Sequence, residues 1–481
     1  MAQATEGSAT RAAIWSAVDR FGIVAMQFII NLLLARLLTP EDFGLVGMIL
    51  IIVAVSTILA DGGFGSALIQ RGNASEEDYA TSFYANISLS IALYTAIYLS
   101  APLVARELGY AVLTDLLRAI GTVIILNSIG LVARVKLRIS LRFKQIAISN
   151  ISAYTISAII AILLSTRGYG AWSLVVMHIA NALISNILII IWARWRPSAR
   201  FSFQSLRRLA AYGEYMLITE IMSNVCFHIQ GTLVGKHFTA YTAGEYAQAK
   251  KMEEVASITL PSALNQVVFP IYSRLKSDNE ALRTMLRSNT RLVAFAVFPL
   301  LTILIIIAEP LILFLFGERW AESIPYFQTL CLGGYLGAMQ YLNYQAVAAT
   351  GRSRVLFITG IIKSAFTIIV LLIAVKISIE AVLVAMVVSN IVNYLVNAIT
   401  AHIYIKYSLP TQLGDIAPTL LLATTLGFVA HIIAPVWNIN WILLAVIYSA
   451  LYLALSIATR SKPTEEIMRR LGIRRSPIAK L

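Results

Sequence analysis

The sequence predicts an all-α membrane protein with fourteen transmembrane helices, and three observations support this prediction. Of the 481 residues, 58% are hydrophobic and only 13% are charged, whereas a soluble domain carries roughly a quarter charged residues. The hydrophobic residues form blocks of about 20, which is the length a helix needs to cross ~30 Å of hydrocarbon. They do not show the alternation over about ten residues that is typical of membrane β-barrel strands.

The hydrophobic blocks predict the approximate bounds of each span. Residues 1–13 are polar, and no small-residue cleavage site follows the first block, so we expect no cleavable signal peptide. In chain order, the predicted spans cover residues 14–36, 43–66, 80–104, 113–133, 146–166, 170–193, 209–235, 243–268, 290–316, 324–349, 355–375, 379–404, 415–434 and 440–459.

Basic residues mark the orientation of these spans. They cluster in the even-numbered turns, with Arg134 after span 4 and Arg287 after span 8, and in the C-terminal tail. The positive-inside rule therefore predicts that both termini and the even-numbered turns are cytoplasmic. The net charge of +14 thus indicates topology and contact with anionic membrane lipids rather than nucleic acid. Recruitment of an anionic substrate is the alternative interpretation of the basic turns.

A weak internal repeat suggests two lobes. The Arg-rich segment 194–208 separates six spans from eight. We predict an N-lobe at 1–200, a C-lobe at 201–408, two additional helices at 409–460 and a basic tail at 461–481. Two six-helix lobes with a substrate path between them are typical of transporters. At an offset of 200 residues, the matching pairs are Leu33 and Leu233, Arg36 and Lys236, Thr39 and Thr239, and Gly44 and Gly244.

Ionisable residues inside the hydrophobic blocks concentrate in spans 1, 2, 7 and 8. A charge at membrane depth costs at least ~2.5–3.5 kcal/mol, so such residues normally face a cavity or a partner. The pattern predicts a polar cavity lined by these four helices. Its candidate residues, with one more from span 11, are Asp19, Arg20, Asp61, Glu220, Lys250, Lys251, Glu254 and Lys363.

Each candidate in the first seven spans has a structural interpretation beside the functional one. Asp19 and Arg20 could form a pair at the cytoplasmic interface. Asp61 precedes Gly62-Gly63, a natural helix break, and could cap the turn that follows. Glu220 lies well inside span 7, where only a cavity would connect its carboxylate with water.

The lysines have alternatives as well. Lys250 and Lys251 point about 100° apart on a helix, so one could face a cavity while the other pairs with Glu253 or Glu254 at i+3. The long stem of Lys363 would allow its ammonium group to snorkel to the interface. In the functional interpretation, the cations hold a phosphate-bearing substrate and the carboxylates carry H⁺ or Na⁺.

The sequence lacks the motifs of an enzyme or an ATP-driven pump. It has no Walker-type glycine-rich loop, no Gly-x-Ser-x-Gly and no His-Glu-x-x-His. Its two cysteines, Cys226 and Cys331, both lie in hydrophobic blocks and cannot form a disulfide framework. We therefore expect no catalytic residues, no metal site and no cofactor.

Two stretches resemble a known family. Residues 33–44, Leu-Leu-Ala-Arg-Leu-Leu-Thr-Pro-Glu-Asp-Phe-Gly, followed by Gly63-Phe64-Gly65, are similar to the N-terminal signature of the Wzx-type oligosaccharide flippases. These belong to the multidrug/oligosaccharidyl-lipid/polysaccharide exporter superfamily, and the resemblance is closest to the colanic-acid-exporter-like branch. Gly244-Glu245-Tyr246-Ala247, with Phe269-Pro270 further on, resembles the opening of the family's second lobe.

The resemblance implies a function. It implies a protein of the bacterial inner membrane with a MurJ/MATE-like fold. This protein would flip an undecaprenyl-pyrophosphate-linked oligosaccharide by alternating access. Arg20 and Lys250 match, by position, the basic residues that hold the pyrophosphate in related flippases. A polysaccharide polymerase and other assembly proteins would be partners. Gln230 stands where family members often carry Asp, which leaves Glu220 or Asp61 for ion coupling.

Two other functions stay open. A cation-coupled multidrug exporter of the same superfamily would have a more acidic first lobe, and Lys250 and Lys251 argue against it. A scaffold of a polysaccharide assembly complex that transports nothing would tolerate loss of the cavity charges.

Overall fold

The computed structural model describes residues 6–71, 74–197, 200–436, 440–459 and 461–465. Within these residues every regular element is helical. The helices are α1 (Glu6–Leu37), α2 (Pro40–Asp61), α3 (Phe64–Arg71), α4 (Glu76–Leu108), α5 (Leu113–Ile120), α6 (Thr122–Ile139), α7 (Phe143–Thr166), α8 (Ala171–Ala193), α9 (Phe203–His237), α10 (Ala240–Glu254), α11 (Leu260–Arg274), α12 (Asn279–Ile306), α13 (Ala308–Phe316), α14 (Ser323–Ala349), α15 (Ser353–Ala374), α16 (Ile379–Ile405), α17 (Leu409–Val436) and α18 (Trp441–Ala458).

Each predicted span lies on one of these helices or on a consecutive pair. The chain is a multi-pass membrane protein: among the described residues, ten helical segments are long and apolar enough to cross a membrane, and they cover predicted spans 2 to 6, 9 and 11 to 14. The other four predicted spans lie on α1, α9, α10–α11 and α14. In α1 the described apolar stretch is Gly22–Leu37.

Four predicted spans are divided between two helices, and span 4 passes from α5 to α6 at Gly121. Gly62 ends α2 with a left-handed backbone (φ 57°), so span 2 continues as the short helix α3. Span 8 contains a π-helical turn at Val255–Thr259 between α10 and α11. Span 9 divides between α12 and α13, next to Glu309-Pro310. The glycine break was evident from the sequence, whereas the π-turn carries no residue type that marks it.

The chain forms two compact units, Met1–Ala247 and Gln248–Leu481. In the first unit, α7 packs against α1 and α8, and α9 packs along α2. In the second unit, α14 packs against α16 and α12, and α12 also contacts α17. The lobe boundary at residue 200 was predicted together with the internal repeat, and it stays a prediction.

The repeated residues occupy equivalent places at two helix starts in the first unit. The Thr39 hydroxyl accepts the N–H of Asp42 at the start of α2 (3.3 Å). The Thr239 hydroxyl accepts the N–H of Thr242 at the start of α10 in the same way (3.0 Å). Arg36 and Lys236 lie in the last turns of the preceding helices, α1 and α9. Side-chain caps of this kind satisfy N–H groups that have no partner within the helix.

The two helix starts touch each other reciprocally. A Cβ atom added at Gly44 would overlap the carbonyl group of Ala240, and a Cβ atom added at Gly244 would overlap the carbonyl group of Pro40. Pro40 and Ala240 are themselves separated by the 200-residue offset. Only glycine allows the backbones to approach this closely. We call this contact the glycine crossing.

Candidate functional site

Three of the places where charged and amide side chains are buried contain predicted site residues, one in the first unit and two in the second. Two predicted site residues cannot be assigned to any of them. Arg20 on α1 and Glu220 on α9 lie outside the residues whose side chains the structure describes. Their proposed roles stay predictions.

Asp61 lies at the break between α2 and α3. Its carboxylate accepts the N–H of Gly65 at 3.1 Å, so it caps the first turn of α3, as its position before Gly62-Gly63 suggested. A cap of this kind also places a negative charge at the positive end of a short helix. The proposed part of Asp61 in ion coupling stays a prediction.

A polar network joins α1, α6, α7 and α8 within the first unit. The Asn150 amide donates to Asp19 at 3.0 Å. The Arg134 guanidinium donates to Asn150 at 3.4 Å and to Ser185 at 3.2 Å. Asn186 extends the network by donating to Asn127 on α6 (3.2 Å). The site thus holds a guanidinium group and a carboxylate connected through one amide, which is a charge-compensated arrangement.

Arg134 is a site residue that the positive-inside reading missed. The sequence places it in the cytoplasmic turn after span 4, but α6 continues to Ile139 and Arg134 is part of the apolar segment Leu113–Ile139. The prediction that it lies in a turn is therefore wrong. The available signal was the set of amide and hydroxyl residues in otherwise apolar blocks, Asn150, Ser185 and Asn186, because an arginine inside a membrane requires such partners.

The second place is the charged end of α10. Lys250 lies 3.8 Å from Glu254, one turn further along the helix, and both side chains are mostly buried. This is an i+4 pair and not the i+3 pair considered from the sequence. Lys251, the adjacent residue, is exposed, which fits the expectation that neighbouring lysines point apart. Glu253 is 7% exposed, and the π-turn begins two residues after it.

The third place lies between α14, α15 and α16. The Lys363 ammonium group donates to the Asn397 carbonyl oxygen at 3.0 Å and lies 5.3 Å from the centre of the Tyr344 ring. The Asn397 amide in turn donates to the backbone of Gln340 at 3.1 Å. Lys363 therefore has partners within the helix bundle, although its stem was long enough to snorkel.

Gln230 occupies the position at which the resemblance led us to expect an aspartate. It is 4% exposed. Its amide donates to the Cys226 carbonyl at 3.1 Å and accepts the Tyr246 hydroxyl at 2.7 Å. The neutral amide thus bridges α9 and α10 by one donor and one acceptor, a combination that an ionised aspartate could not supply.

Asp415 connects α17 to α12 within the second unit. It accepts a two-pronged contact from Arg287 (2.8 and 3.1 Å) and further bonds from Arg291. The Tyr407 hydroxyl also donates to it at 2.9 Å, and burial together with the Asp415 charge raises the pKa of Tyr407. Arg287 lies in α12 and not in the turn where the sequence placed it. This cluster is a salt bridge with a structural role, because it holds α17 against α12.

A metal centre has no support in the described part of the chain. No group of three or more His, Cys, Asp or Glu side chains there could hold an ion. Neither Cys226 nor Cys331 forms a disulfide bond.

Comparisons with known proteins agree with this architecture. The model of the family described as "Polysaccharide biosynthesis protein" matches residues 33–325, more than half of the chain. The succinoglycan biosynthesis transport protein ExoT of Rhizobium meliloti is 27% identical over 74% of this chain and 72% of its own. The lipopolysaccharide biosynthesis protein WzxC of Escherichia coli is 24% identical over 67% of this chain and 66% of its own.

Solved structures give the fold. The lipid II flippase MurJ in an inward closed conformation superposes with a TM-score of 0.77 at 15% identity, covering 93% of this chain and 99% of MurJ. An inward-facing MATE multidrug transporter gives 0.62 at 16% identity, covering 81% of this chain and 98% of its own. The predicted MurJ/MATE-like fold is confirmed. The chain belongs to the polysaccharide biosynthesis protein family, is similar to WzxC, and has the fold of MurJ and the MATE transporters.

Proposed function

We propose that this protein flips an undecaprenyl-pyrophosphate-linked oligosaccharide from the cytoplasmic to the periplasmic leaflet of the bacterial inner membrane. The observation that carries the proposal is the mostly buried Lys250–Glu254 pair at the end of α10, in a chain of the polysaccharide biosynthesis family. A charged side chain inside a membrane helix is energetically costly, and such residues normally belong to a pathway for substrate or ions. The named transport role of ExoT and the flippase role of MurJ support the same reading.

The charged residues divide into two proposed roles. Lys250, Lys251, Lys363 and Arg20 hold the pyrophosphate as point charges. The carboxylates carry H⁺ or Na⁺, so that an ion gradient drives the alternation between inward- and outward-open states. The candidates for this second role are Asp19, Asp61, Glu220 and Glu254.

The proposed topology has fourteen spans and cytoplasmic termini. Two lobes of six spans, at 1–200 and 201–408, enclose the substrate path, and the helices at 409–460 are additions to them. The charged residues of spans 1, 2, 7 and 8 line that path. A polymerase and other assembly proteins would receive the flipped oligosaccharide.

Lys250→Ala tests the proposal in the native bacterium. We expect the variant to reach the membrane in normal amount and to abolish polymer export, because the pyrophosphate loses one of the cations proposed to hold it. Arg20→Ala should do the same. The control is Lys376→Ala, a lysine exposed in the turn after α15, which should leave export unchanged. Surface polymer and membrane-inserted protein are measured together. Normal export from both the Lys250 and Arg20 variants would contradict the proposal and favour a scaffold.

The fold similarity to MATE transporters keeps multidrug export as the second candidate. A deletion strain separates the two functions. A flippase deletion loses polymer and leaves sensitivity to hydrophobic cations unchanged, whereas an exporter deletion raises that sensitivity and leaves polymer intact.

A further inference from the structure

Glu253 occupies a pocket inside the second unit. Oε1 of Glu253 faces Gly334 on α14, where an added Cβ atom would come within 2.7 Å of it. The side chain of Leu301 on α12 and Ser257 in the π-turn surround the same point, each 3.3 Å from that Cβ position. Glu253 is hydrogen-bonded to Ser257. The glycine leaves the space that the carboxyl group fills.

The charged groups close to Glu253 lie on its own helix. Lys250 contributes a positive charge but lies 3.8 Å from Glu254, and Glu254 adds a like charge. From α14, the buried thiol of Cys331 lies close enough to Glu253 to interact with its charge, and Tyr335 follows Gly334 in the sequence. The α14 sequence contains no Asp, Glu, Lys or Arg, and α12 contributes Leu301. Burying an ionised carboxylate away from water is costly unless it is paired, and binding of one proton removes that charge.

The pocket suits a proton better than a metal cation. Hard cations such as Na⁺, Mg²⁺ and Ca²⁺ are bound through several oxygen atoms. On the Gly334 side of the carboxyl group, the neighbouring side chains are those of Leu301 and Ser257, which together supply one oxygen atom. A carboxyl group needs only one proton to become neutral.

We propose that Glu253 is a proton-binding site of the transport cycle, which rests on the flippase function proposed above. The carboxylate takes up one H⁺ to become the buried neutral acid described here, and it returns that H⁺ on leaving the pocket. Once ionised, Glu253 can compete with Glu254 for the Lys250 ammonium group one turn away. Proton release thereby changes the partner of a lysine that we assign to the pyrophosphate.

The π-turn provides a local way for Glu253 to leave. Val255–Thr259 begins two residues after Glu253 and contains Ser257 from the pocket wall. A π-turn accommodates one residue more per hydrogen-bonded ring than an α-turn, and isolated ones are frequent at functional sites. Rewinding it to α-helix rotates the flanking helices by about 100° relative to each other, one residue's rotation. That rotation separates Glu253 from the Ser257 side of the pocket.

Infrared spectroscopy tests protonation without any substrate. The full-length protein in liposomes is compared at neutral and alkaline pH. We expect the wild type to show the C=O band of a protonated carboxyl group at neutral pH and to lose it at alkaline pH. Glu253→Gln should lack this band. The control, Glu280→Gln, removes an exposed carboxylate of the same unit and should retain it. A band unchanged in Glu253→Gln would overturn the proposal.

Two glycine substitutions distinguish a local effect on the Glu253 pocket from a general effect on folding. Gly334→Ala leaves every charge in place but fills the space beside Oε1, and it should shift or remove the band. Gly360→Ala, where an added Cβ atom meets nothing within 4 Å, should leave it intact. A band unchanged in Gly334→Ala would contradict the assignment of the pocket.

Transport by proteoliposomes tests the coupling. The probe is a fluorescent undecaprenyl-pyrophosphate-linked disaccharide. We expect a pH gradient to accelerate its translocation by the wild type and to have no effect on Glu253→Gln. An equal response of the two proteins would overturn the role of Glu253. Absence of translocation by the wild type would instead contradict the flippase function, while the infrared result would still report on Glu253.

Discussion

Single residues in this protein show what a sequence can and cannot assign. Lys250, Glu254 and Lys363 were recognisable because a charge in an apolar block is conspicuous. Arg134 and Arg287 were not, since each lies near a helix end where a basic residue also fits the positive-inside rule. Only the structure shows that they bind Asn150 and Asp415. Whether such an arginine marks topology or stabilises the structure depends on partners that are far from it in the sequence.

Asp415 gives the sharpest prediction about stability. Asp415→Asn keeps the shape but removes the charge that holds Arg287 and Arg291. Breaking a buried ion pair costs about 3–5 kcal/mol. Because the Arg287 side chain is 35% exposed, solvent lowers that cost, and we expect about 2–3 kcal/mol. Thermal unfolding in detergent measures the change. Glu280→Gln, which disrupts an exposed pair with Arg283, should change stability by less than about 0.5 kcal/mol, and equal effects of the two substitutions would contradict the anchoring role.

At the scale of helices, segment length and hydrophobicity were sufficient to place all fourteen predicted spans on helices. The internal breaks were harder to predict. A Gly62-Gly63 pair announces a helix end because glycine readily adopts a left-handed backbone. The π-turn at Val255–Thr259 consists of ordinary residues, and Ser257 within it packs next to Gly334 of α14. Tertiary packing of this kind leaves no pattern in the sequence.

The glycine crossing predicts a symmetric mutational effect. Gly44→Ala and Gly244→Ala each place a methyl group against a backbone carbonyl of the opposite helix start, and forced overpacking costs about 1–3 kcal/mol. We expect similar losses of thermal stability from the two substitutions. Gly47→Ala is the matched control, because it lies one turn along α2 and an added Cβ atom there meets nothing within 4 Å. A loss at Gly47 equal to that at Gly44 would show that the crossing is not the cause.

For the whole molecule, the positive-inside rule still predicts orientation after Arg134 and Arg287 are removed from the count, since the other basic residues of those turns remain. Cysteine labelling checks it. Ser140→Cys, exposed between α6 and α7, should react with an impermeant maleimide only in inverted vesicles. Thr166→Cys, exposed at the end of α7, should react only in right-side-out vesicles. The reverse pattern would invert the proposed topology.

The glycine crossing also has an evolutionary consequence. In a symmetric homodimer, residue i of one subunit meets residue j of the other, and j meets i in return. Pro40 with Gly244 and Ala240 with Gly44 have this form, separated by a constant 200 positions within one chain. The contact has the geometry of a dimer interface between two copies of an ancestral half-length polypeptide. Gene fusion would then have joined the copies covalently while preserving the interface within one chain.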